Sequence, residues 1–176
     1  MSSWLFHNIG HRMNSNYNSR DDVFNARGLI TFDGVYRNVY ENRDLLYGRD
    51  VILFVMGNYV GRDNQFDVDA NPHLKLETYC TWEEICELHE KCGARIGWHT
   101  WSHRNLCELS DDEIRRELDL SMVPHWVPME RLLAYPYGNV DSRVEDIAIE
   151  SGYIEAWSVT QGDGSIFRRK RQYYNW

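Results

Sequence analysis

The chain has 176 residues, a formal net charge of −8, and a composition that is 43% hydrophobic and 26% charged, which is typical of one soluble globular domain. The acidic balance argues against a nucleic acid or an anionic membrane surface as a partner. No apolar run approaches the length of a membrane-spanning helix, so no membrane span is expected.

Short apolar segments alternate with helical patterns along the chain, which is typical of an α/β domain. GLITF and DVILFVM, at residues 28–32 and 50–56, are β-branched or aromatic runs that predict two buried strands. The helical spacing between them can end at Gly48. Residues 62–79 are polar and lack a period, which predicts a long surface loop that can border a site.

Capping signals predict the later helices. Thr81 and Ser110 each precede a glutamate by three residues, so each is expected to begin a helix through a capping box. Gly93 can end the first of these helices, and Asp141 can cap a third. The remaining apolar runs predict three strands, ARIGW, RLLAY and YIEAWSV, at residues 94–98, 131–135 and 153–159. This order favours parallel strands with helices packed outside them.

Polar residues follow three of the predicted strands directly. Asp33 follows the first strand, His99 and His103 follow ARIGW, and Tyr137 follows RLLAY. The carboxyl ends of parallel strands meet at one rim of such a fold. A lone H-x-x-x-H is a weak signal, but two imidazoles and a carboxylate form a common catalytic zinc set, which leaves positions open for water and substrate. The sequence therefore favours a metal site at this rim.

Four segments resemble successive motifs of the polysaccharide deacetylase (NodB-like carbohydrate esterase) family. They are LITFDGVYRNVYEN, IGWHTWSHRNLCELSDDEIRREL, AYPYGNVDSRVEDIAIESGY and AWSVTQGD. The resemblance runs from about residue 28 to residue 176 with the motifs in order, and we treat residues 1–176 as a single catalytic domain. Its most specific part is the H-[ST]-x-x-H element followed by a leucine and the LSDDEI helix.

This resemblance implies an α/β fold, a distorted and incomplete (β/α) barrel with fewer than eight strands. It also implies a divalent metal ion, most often zinc, and hydrolysis of N-acyl groups on sugars. In such enzymes the group removed is N-acetyl, and sometimes N-formyl or O-acetyl, so acetyl or formyl is expected here. The substrate partner is a carbohydrate: an amino sugar, an oligosaccharide, or a nucleotide- or lipid-linked sugar.

The resemblance also assigns roles to individual residues. His99 and His103 match the two histidine ligands of the metal, which polarises the acyl carbonyl and lowers the pKa of a bound water. A carboxylate base takes the proton of that water. The backbone N–H of Tyr137 helps to hold the oxyanion. Trp101 lies between the two histidines and is expected either to contact substrate or to pack in the core.

The aspartate motif departs from the family pattern. Members carry two adjacent aspartates in T-F-D-D-G, the first a general base and the second a metal ligand, whereas this chain reads Thr31-Phe32-Asp33-Gly34-Val35. Aligned without gaps, Asp33 is the base and Gly34 stands at the ligand position. A slip of one residue makes Asp33 the metal ligand instead. The register of YRNVYEN favours the base.

Two further departures concern the groups that assist the base. Ala134 stands where many members have an arginine that orients it. The chain stops at Trp176, before the leucine-histidine motif that supplies the general acid, and no histidine follows His125. His7, in WLFHNIG, is the replacement that we expect if an amino-terminal strand enters the barrel, the alternative being an exposed histidine.

These departures allow a second hypothesis, a catalytically degenerate member that binds carbohydrate or serves as a scaffold. An incomplete barrel also leaves a gap that a second copy of the chain can cover, so a homo-oligomer is among the expected partners. The leading hypothesis is a metal-dependent deacetylase that acts on non-peptide C–N bonds.

The cysteines and the amino-terminal segment predict a cytoplasmic setting. The four cysteines include no C-x-x-C pair, and residues 1–8 do not match a secretory signal. The thiols are therefore expected to be reduced. The basic run RRKR, at residues 168–171, is expected to be a solvated edge near the chain end.

Overall fold

Eight strands pair into one sheet in the computed structural model, which describes residues 2–9 and 17–174. Two further short strands, β2 and β3, pair separately. In chain order the strands are β1 (Ser3–Phe6), β2 (Asn8–Ile9), β3 (Tyr17–Asn18), β4 (Leu29–Asp33), β5 (Val51–Val55), β6 (Arg95–Trp98), β7 (Met129–Ala134), β8 (Glu155–Ser158), β9 (Arg169–Lys170) and β10 (Gln172–Tyr173).

The main sheet has the order β10-β1-β4-β5-β6-β7-β8-β9, and every pairing in it is parallel. Strand β9 pairs with β8, while β10 pairs with β1 at the opposite edge. Only Arg171 separates β9 from β10, so one short segment of the chain joins the two edges and nearly closes a barrel.

The predicted α/β barrel is confirmed, with a correction to its strand count. The sheet has eight strands rather than fewer than eight, because two-residue strands form at both edges. Such strands are too short to produce an apolar run in the sequence. Strands β9 and β10 span the gap that had suggested a second copy of the chain. The homo-oligomer stays a prediction.

The described residues form six α-helices: α1 (Arg20–Asn25), α2 (Arg37–Glu41), α3 (Gln65–Ala70), α4 (Trp82–Cys92), α5 (Asp111–Leu118) and α6 (Ser142–Glu150). Capping boxes begin α4 at Thr81 and α5 at Ser110, and Gly93 ends α4 with φ 72°, as predicted. The predicted loop at residues 62–79 contains α3, which is a correction. Among the described residues, none of the helices has the length and apolar character needed to cross a membrane.

The two faces of the strands pack differently. Leu53 and Val55 belong to a cluster that includes Ile85 and Leu88 of α4, so this face packs against helices. The alternating residues Ile52 and Phe54 pack with Leu132, Ala134 and Trp157 inside the barrel. By the same alternation, Thr31 and Asp33 face the interior, since Ile30 and Phe32 lie in the helix-facing cluster.

Candidate functional site

The carboxyl ends of the strands open onto one cavity of about 230 Å³. Five residues selected from the sequence line it together: His7, Asp33, His99, His103 and Tyr137. Trp101 is not among the described residues that line this cavity. Its ring lies against Gly57, where an added Cβ would be 2.5 Å from Trp101 Cε3, and it packs on the cluster around Trp98. Of the two expectations for Trp101, the packing role matches this position.

Asp33 is buried at the end of β4 and is paired with Arg171. The two guanidinium nitrogens of Arg171 donate to the two carboxylate oxygens, each over 2.6 Å. Arg171 also donates to Thr31 Oγ1 over 3.1 Å, and its side chain is fully buried. Burial of Asp33 raises its pKa, but the charges of Arg171 and its hydrogen bonds outweigh this, so that the pKa lies below its usual value. Asp33 is therefore an ionised carboxylate held in a fixed orientation.

Arg171 corrects two expectations from the sequence. The run at residues 168–171 is not simply a solvated edge, because Arg171 is 1% exposed. Ala134 does lack a side chain that can reach the aspartate, but Arg171 provides the guanidinium from the other end of the chain. The barrel closure between β9 and β10 brings it there, with its guanidinium carbon 5.3 Å from the centre of the Phe54 ring.

His99 is oriented by the backbone of β7. Its Nδ1 lies 2.7 Å from the carbonyl oxygen of Ala134, and since a carbonyl only accepts, Nδ1 carries the hydrogen. Burial lowers the pKa of His99, an effect that exceeds the opposing influence of Asp33. The neutral ring therefore presents the lone pair of Nε2, which lies 3.5 Å from Asp33 Oδ2. Nε2 of the neutral ring and the carboxylate oxygen are both acceptors, so a hydrogen-bond donor or a cation can bind between them.

His103 lies beside His99 on a strained loop. The ring centroids of the two histidines are 4.8 Å apart, and the ring of Tyr137 is 4.8 Å from His103 on the other side. Burial lowers the pKa of His103 to about 3. The three described non-glycine residues with positive φ are Thr100, His103 and Tyr137, all at this rim. Such strain clusters at functional sites because the surrounding contacts must maintain it.

Glu117 on α5 holds this loop, a role that the sequence did not reveal. Its carboxylate accepts from the backbone N–H of Ser102 over 2.8 Å and from the Ser102 hydroxyl. Its carbonyl oxygen accepts from Trp98 Nε1 over 2.8 Å and from the backbone N–H of Trp101 over 3.0 Å. The LSDDEIRREL helix therefore fixes the segment between the two histidines.

His7 follows β1, whose Phe6 is in register with Phe32 of β4. This pairing brings His7 to the same rim as Asp33. Burial lowers the pKa of His7 to about 4, and its Nδ1 is buried without a hydrogen-bond partner in the described part of the chain. The ring stacks on Tyr173 with centroids 6.0 Å apart. The alternative expectation, an exposed amino-terminal histidine, does not match this position.

Tyr137 lies in a tight turn after β7, with φ 59° and a side chain that leaves the residue 61% exposed. The turn is fixed through Gly138, whose carbonyl oxygen accepts from the hydroxyls of Ser158 over 2.6 Å and Thr160 over 3.2 Å. The backbone at Tyr137 is therefore rigidly placed at the cavity mouth.

The side chains at the rim match a set of metal ligands only in part. His99 donates its Nδ1 hydrogen to a backbone carbonyl, the arrangement that metal-ligating histidines adopt, and His103 lies beside it. Asp33, however, has both oxygens on Arg171. Within residues 2–9 and 17–174, no group of three or more His, Cys, Asp or Glu side chains is arranged to hold a metal. The residues fit two histidine ligands, with further ligands from water or substrate.

The packing around Gly34 leaves little room for a side chain at the position of the second aspartate. Its φ is +69°, and a Cβ added there would lie 2.7 Å from Met56 Cε and 3.2 Å from Tyr79 Cε1. The space that a side chain at this position would enter is thus filled by Met56 and Tyr79.

Comparisons with known proteins agree with this architecture. The family model described as polysaccharide deacetylase matches residues 27–156, well over half of the chain. No curated protein sequence matches the chain.

Three solved structures illustrate the structural likeness. The Streptococcus pyogenes deacetylase PplD, in complex with acetate, is 14% identical with a TM-score of 0.68, covering 98% of this chain and 91% of that one. IcaB from Ammonifex degensii is 16% identical with a TM-score of 0.71, covering 98% and 89%. BC0361, a polysaccharide deacetylase from Bacillus cereus, is 16% identical with a TM-score of 0.73; this chain spans 64% of its length. At these identities the likeness shows the shared fold.

Proposed function

Because the chain belongs to the polysaccharide deacetylase family, we propose that it is a metal-dependent hydrolase that removes an N-acyl group, most simply acetyl, from an amino sugar or glycan. Family membership supports deacetylation of carbohydrates, and the metal and the acyl group are the parts that we add. The observation that carries this proposal is the buried Asp33–Arg171 pair beside two histidines in one cavity.

We assign Asp33 as the general base rather than a metal ligand, since both of its oxygens are held by Arg171. This pairing keeps the carboxylate ionised and aimed, but the low pKa also makes it a weak base. The water that it deprotonates must therefore be acidified. A zinc ion held by His99 and His103 would supply that acidity and polarise the acyl carbonyl.

His7 is the proposed general acid. Hydrolysis breaks the acyl C–N bond, and the departing amine needs a proton. His7 lines the cavity, and its buried Nδ1 has no partner among the described residues. With its pKa near 4, the imidazole rests neutral at neutral pH. It protonates the amine only after it has taken up the proton that the attacking water gives to Asp33.

The backbone at Tyr137 is the proposed oxyanion donor. Charge develops on the acyl oxygen as water attacks, and a preorganised N–H stabilises that charge without reorganisation. Two hydrogen bonds fix the turn that contains Tyr137, because the carbonyl oxygen of Gly138 accepts from the hydroxyls of Ser158 and Thr160. This fixed backbone supports the proposed role.

The degenerate binding protein is the less favoured hypothesis. It depended on a lone aspartate, an absent arginine and an absent terminal histidine. Arg171 pairs with Asp33, and His7 lines the cavity, so each could take over the role of an absent group, which weakens two of the three arguments.

Acyl release tests the proposed function. Purified protein is incubated with N-acetylated and N-formylated oligosaccharides of amino sugars, with zinc or with a chelator, and released acetate or formate is quantified. We expect release that the chelator abolishes and added zinc restores. No release from any acylated sugar, with metal supplied, would contradict the proposal.

A further inference from the structure

Helix α3 carries a carboxylate, Asp67, into the wall of the same cavity. Its Oδ2 lies 3.2 Å from the hydroxyl of Tyr79 and 3.4 Å from that of Tyr36, so both phenols orient the carboxylate. The two rings stack with centroids 4.3 Å apart, and their hydroxyls are 3.0 Å apart. The hydroxyls of Tyr36 and Tyr79 thus hold the Asp67 carboxylate in place, and it does not extend freely into solvent.

No described residue forms an ion pair that balances the charge of Asp67. Arg171, the arginine that lines the cavity, is committed to Asp33 through both of its terminal nitrogens. Among the ion pairs formed by the described residues, none includes Asp67. Burial raises the pKa of Asp67, as expected for a carboxylate that loses water without gaining a cation. The Asp33–Arg171 pair is neutral, so Asp67 leaves one negative charge on the wall.

Asp67 makes no hydrogen bond or ion pair with Asp33, His99 or His103. Its hydrogen-bond partners are Tyr36 and Tyr79, not the histidines, and no described group of three metal-ligating side chains includes it. Its charge acts on Tyr137 at the cavity mouth, whose pKa is raised mainly by burial and further by Asp67. A ligand group at Asp67 therefore belongs to a neighbouring part of the substrate and not to the acyl group being removed.

We propose that Asp67 is a subsite for an ammonium group of the substrate, carried by a free amino-sugar unit next to the acylated one. The inference rests on the proposed function and narrows its substrate class to partly deacylated glycans. A carboxylate that already accepts from two phenols binds an ammonium through a charge-assisted hydrogen bond, which is stronger than one to a neutral hydroxyl. The neutral sugar hydroxyl is the competing ligand.

Two oligosaccharides that carry no acyl group test this subsite without turnover. The β-1,4-linked glucosamine tetramer and cellotetraose differ at each C2, where one has an ammonium at pH 6 and the other a hydroxyl. Calorimetric titration with the wild-type chain should give a Kd for the glucosamine tetramer about tenfold lower than for cellotetraose. This preference should shrink as salt is added, because the ammonium contact is screened.

The variants Asp67→Asn and Asp69→Asn separate the subsite from the overall charge. Both variants remove one negative charge from α3. Asp69, unlike Asp67, is exposed, and its carboxylate accepts a hydrogen bond from the side chain of Gln65. Asp67→Asn should lose the preference and Asp69→Asn should keep it. A wild-type chain without preference, an unchanged Asp67→Asn, or an equal loss in both variants would overturn the subsite. If Asp67→Asn is unstable to heating, Asp67→Ser replaces it in the same comparison.

Acetate release from an N-acetylated tetramer, measured in parallel, separates this inference from the proposed function. Release without an ammonium preference overturns the subsite alone, whereas a preference that depends on Asp67 without any release overturns the hydrolase alone.

Discussion

Arg171 and Asp33 are 138 residues apart in the chain, yet both guanidinium–carboxylate distances are 2.6 Å. Strands β9 and β10, on either side of Arg171, pair with opposite edges of the sheet. The segment that closes the barrel therefore also sets the charge and orientation of the candidate base. Stability and activity are expected to depend together on this one pair.

Replacing Arg171 with Met should destabilise the fold. Asp33 would then be a buried carboxylate without a cation, and breaking such a pair costs roughly 3–5 kcal/mol. We expect a lower free energy of unfolding in urea and a pKa for Asp33 above its wild-type value. Lys170→Gln is the control, because Lys170 is an exposed neighbour in the same basic run. Equal stability of Arg171→Met and wild type would show that the pair has no structural role.

The buried His7 should make stability depend on pH. Its pKa is about 4 in the folded chain and near 6.5 when unfolded, so below pH 6.5 the unfolded chain binds more protons. The stability that its neutral form contributes is complete above pH 6.5 and is lost as pH falls toward 4, with a slope of up to about 1.4 kcal/mol per pH unit. His7→Gln should make this part of a urea stability profile less steep, while His99 and His103, whose pKa values burial also lowers, keep the rest of the slope. An unchanged slope would mean that His7 titrates normally.

Zinc binding should need His99 and His103 but be weak. His99 and His103 are the two ligands that we assign, because both oxygens of Asp33 are held by Arg171. We expect about one zinc per chain in equilibrium dialysis, lost on extensive washing, and none in His99→Ala or His103→Ala. His125→Gln is the control, because His125 is exposed and does not line the cavity. Zinc retained by both alanine variants would place the metal elsewhere.

Gly34→Ala should destabilise the fold more than Gly48→Ala. Both glycines have φ near +70°, so both variants acquire backbone strain of about 1 kcal/mol or more. An added Cβ meets nothing within 4 Å at Gly48 but lies 2.7 Å from Met56 Cε at Gly34. The difference in free energy of unfolding therefore measures how tightly Met56 fills the position of the missing aspartate. Equal losses would mean that Met56 moves aside freely.

The rim of the site could be predicted because its signals are local. Each of the strands before Asp33, His99 and Tyr137 is a short apolar run, and the polar residue follows where the run ends. Parallel order then brings these ends together. The helices α4 and α5 were equally readable from the capping boxes at Thr81 and Ser110.

The groups that complete the site could not be predicted, because their positions depend on distant pairing. Nothing within RRKR distinguishes Arg171 from its neighbours; it is buried since residues 172–173 pair with residues 4–5. Asp67 lies on a short helix in a polar segment without a period, so its place in the cavity wall follows from contacts with Tyr36 and Tyr79.

The most direct test of the account is the initial rate of acetate release from an N-acetylated amino-sugar oligosaccharide by the wild-type chain and Asp33→Asn, both supplied with zinc. Circular dichroism must first show that the variant is folded, because Arg171 loses its charged partner. We expect wild-type release and a kcat lowered about 10²–10⁴-fold in Asp33→Asn, the range for loss of a general base. A folded Asp33→Asn that releases acetate at the wild-type rate would contradict the assignment of Asp33 as the base.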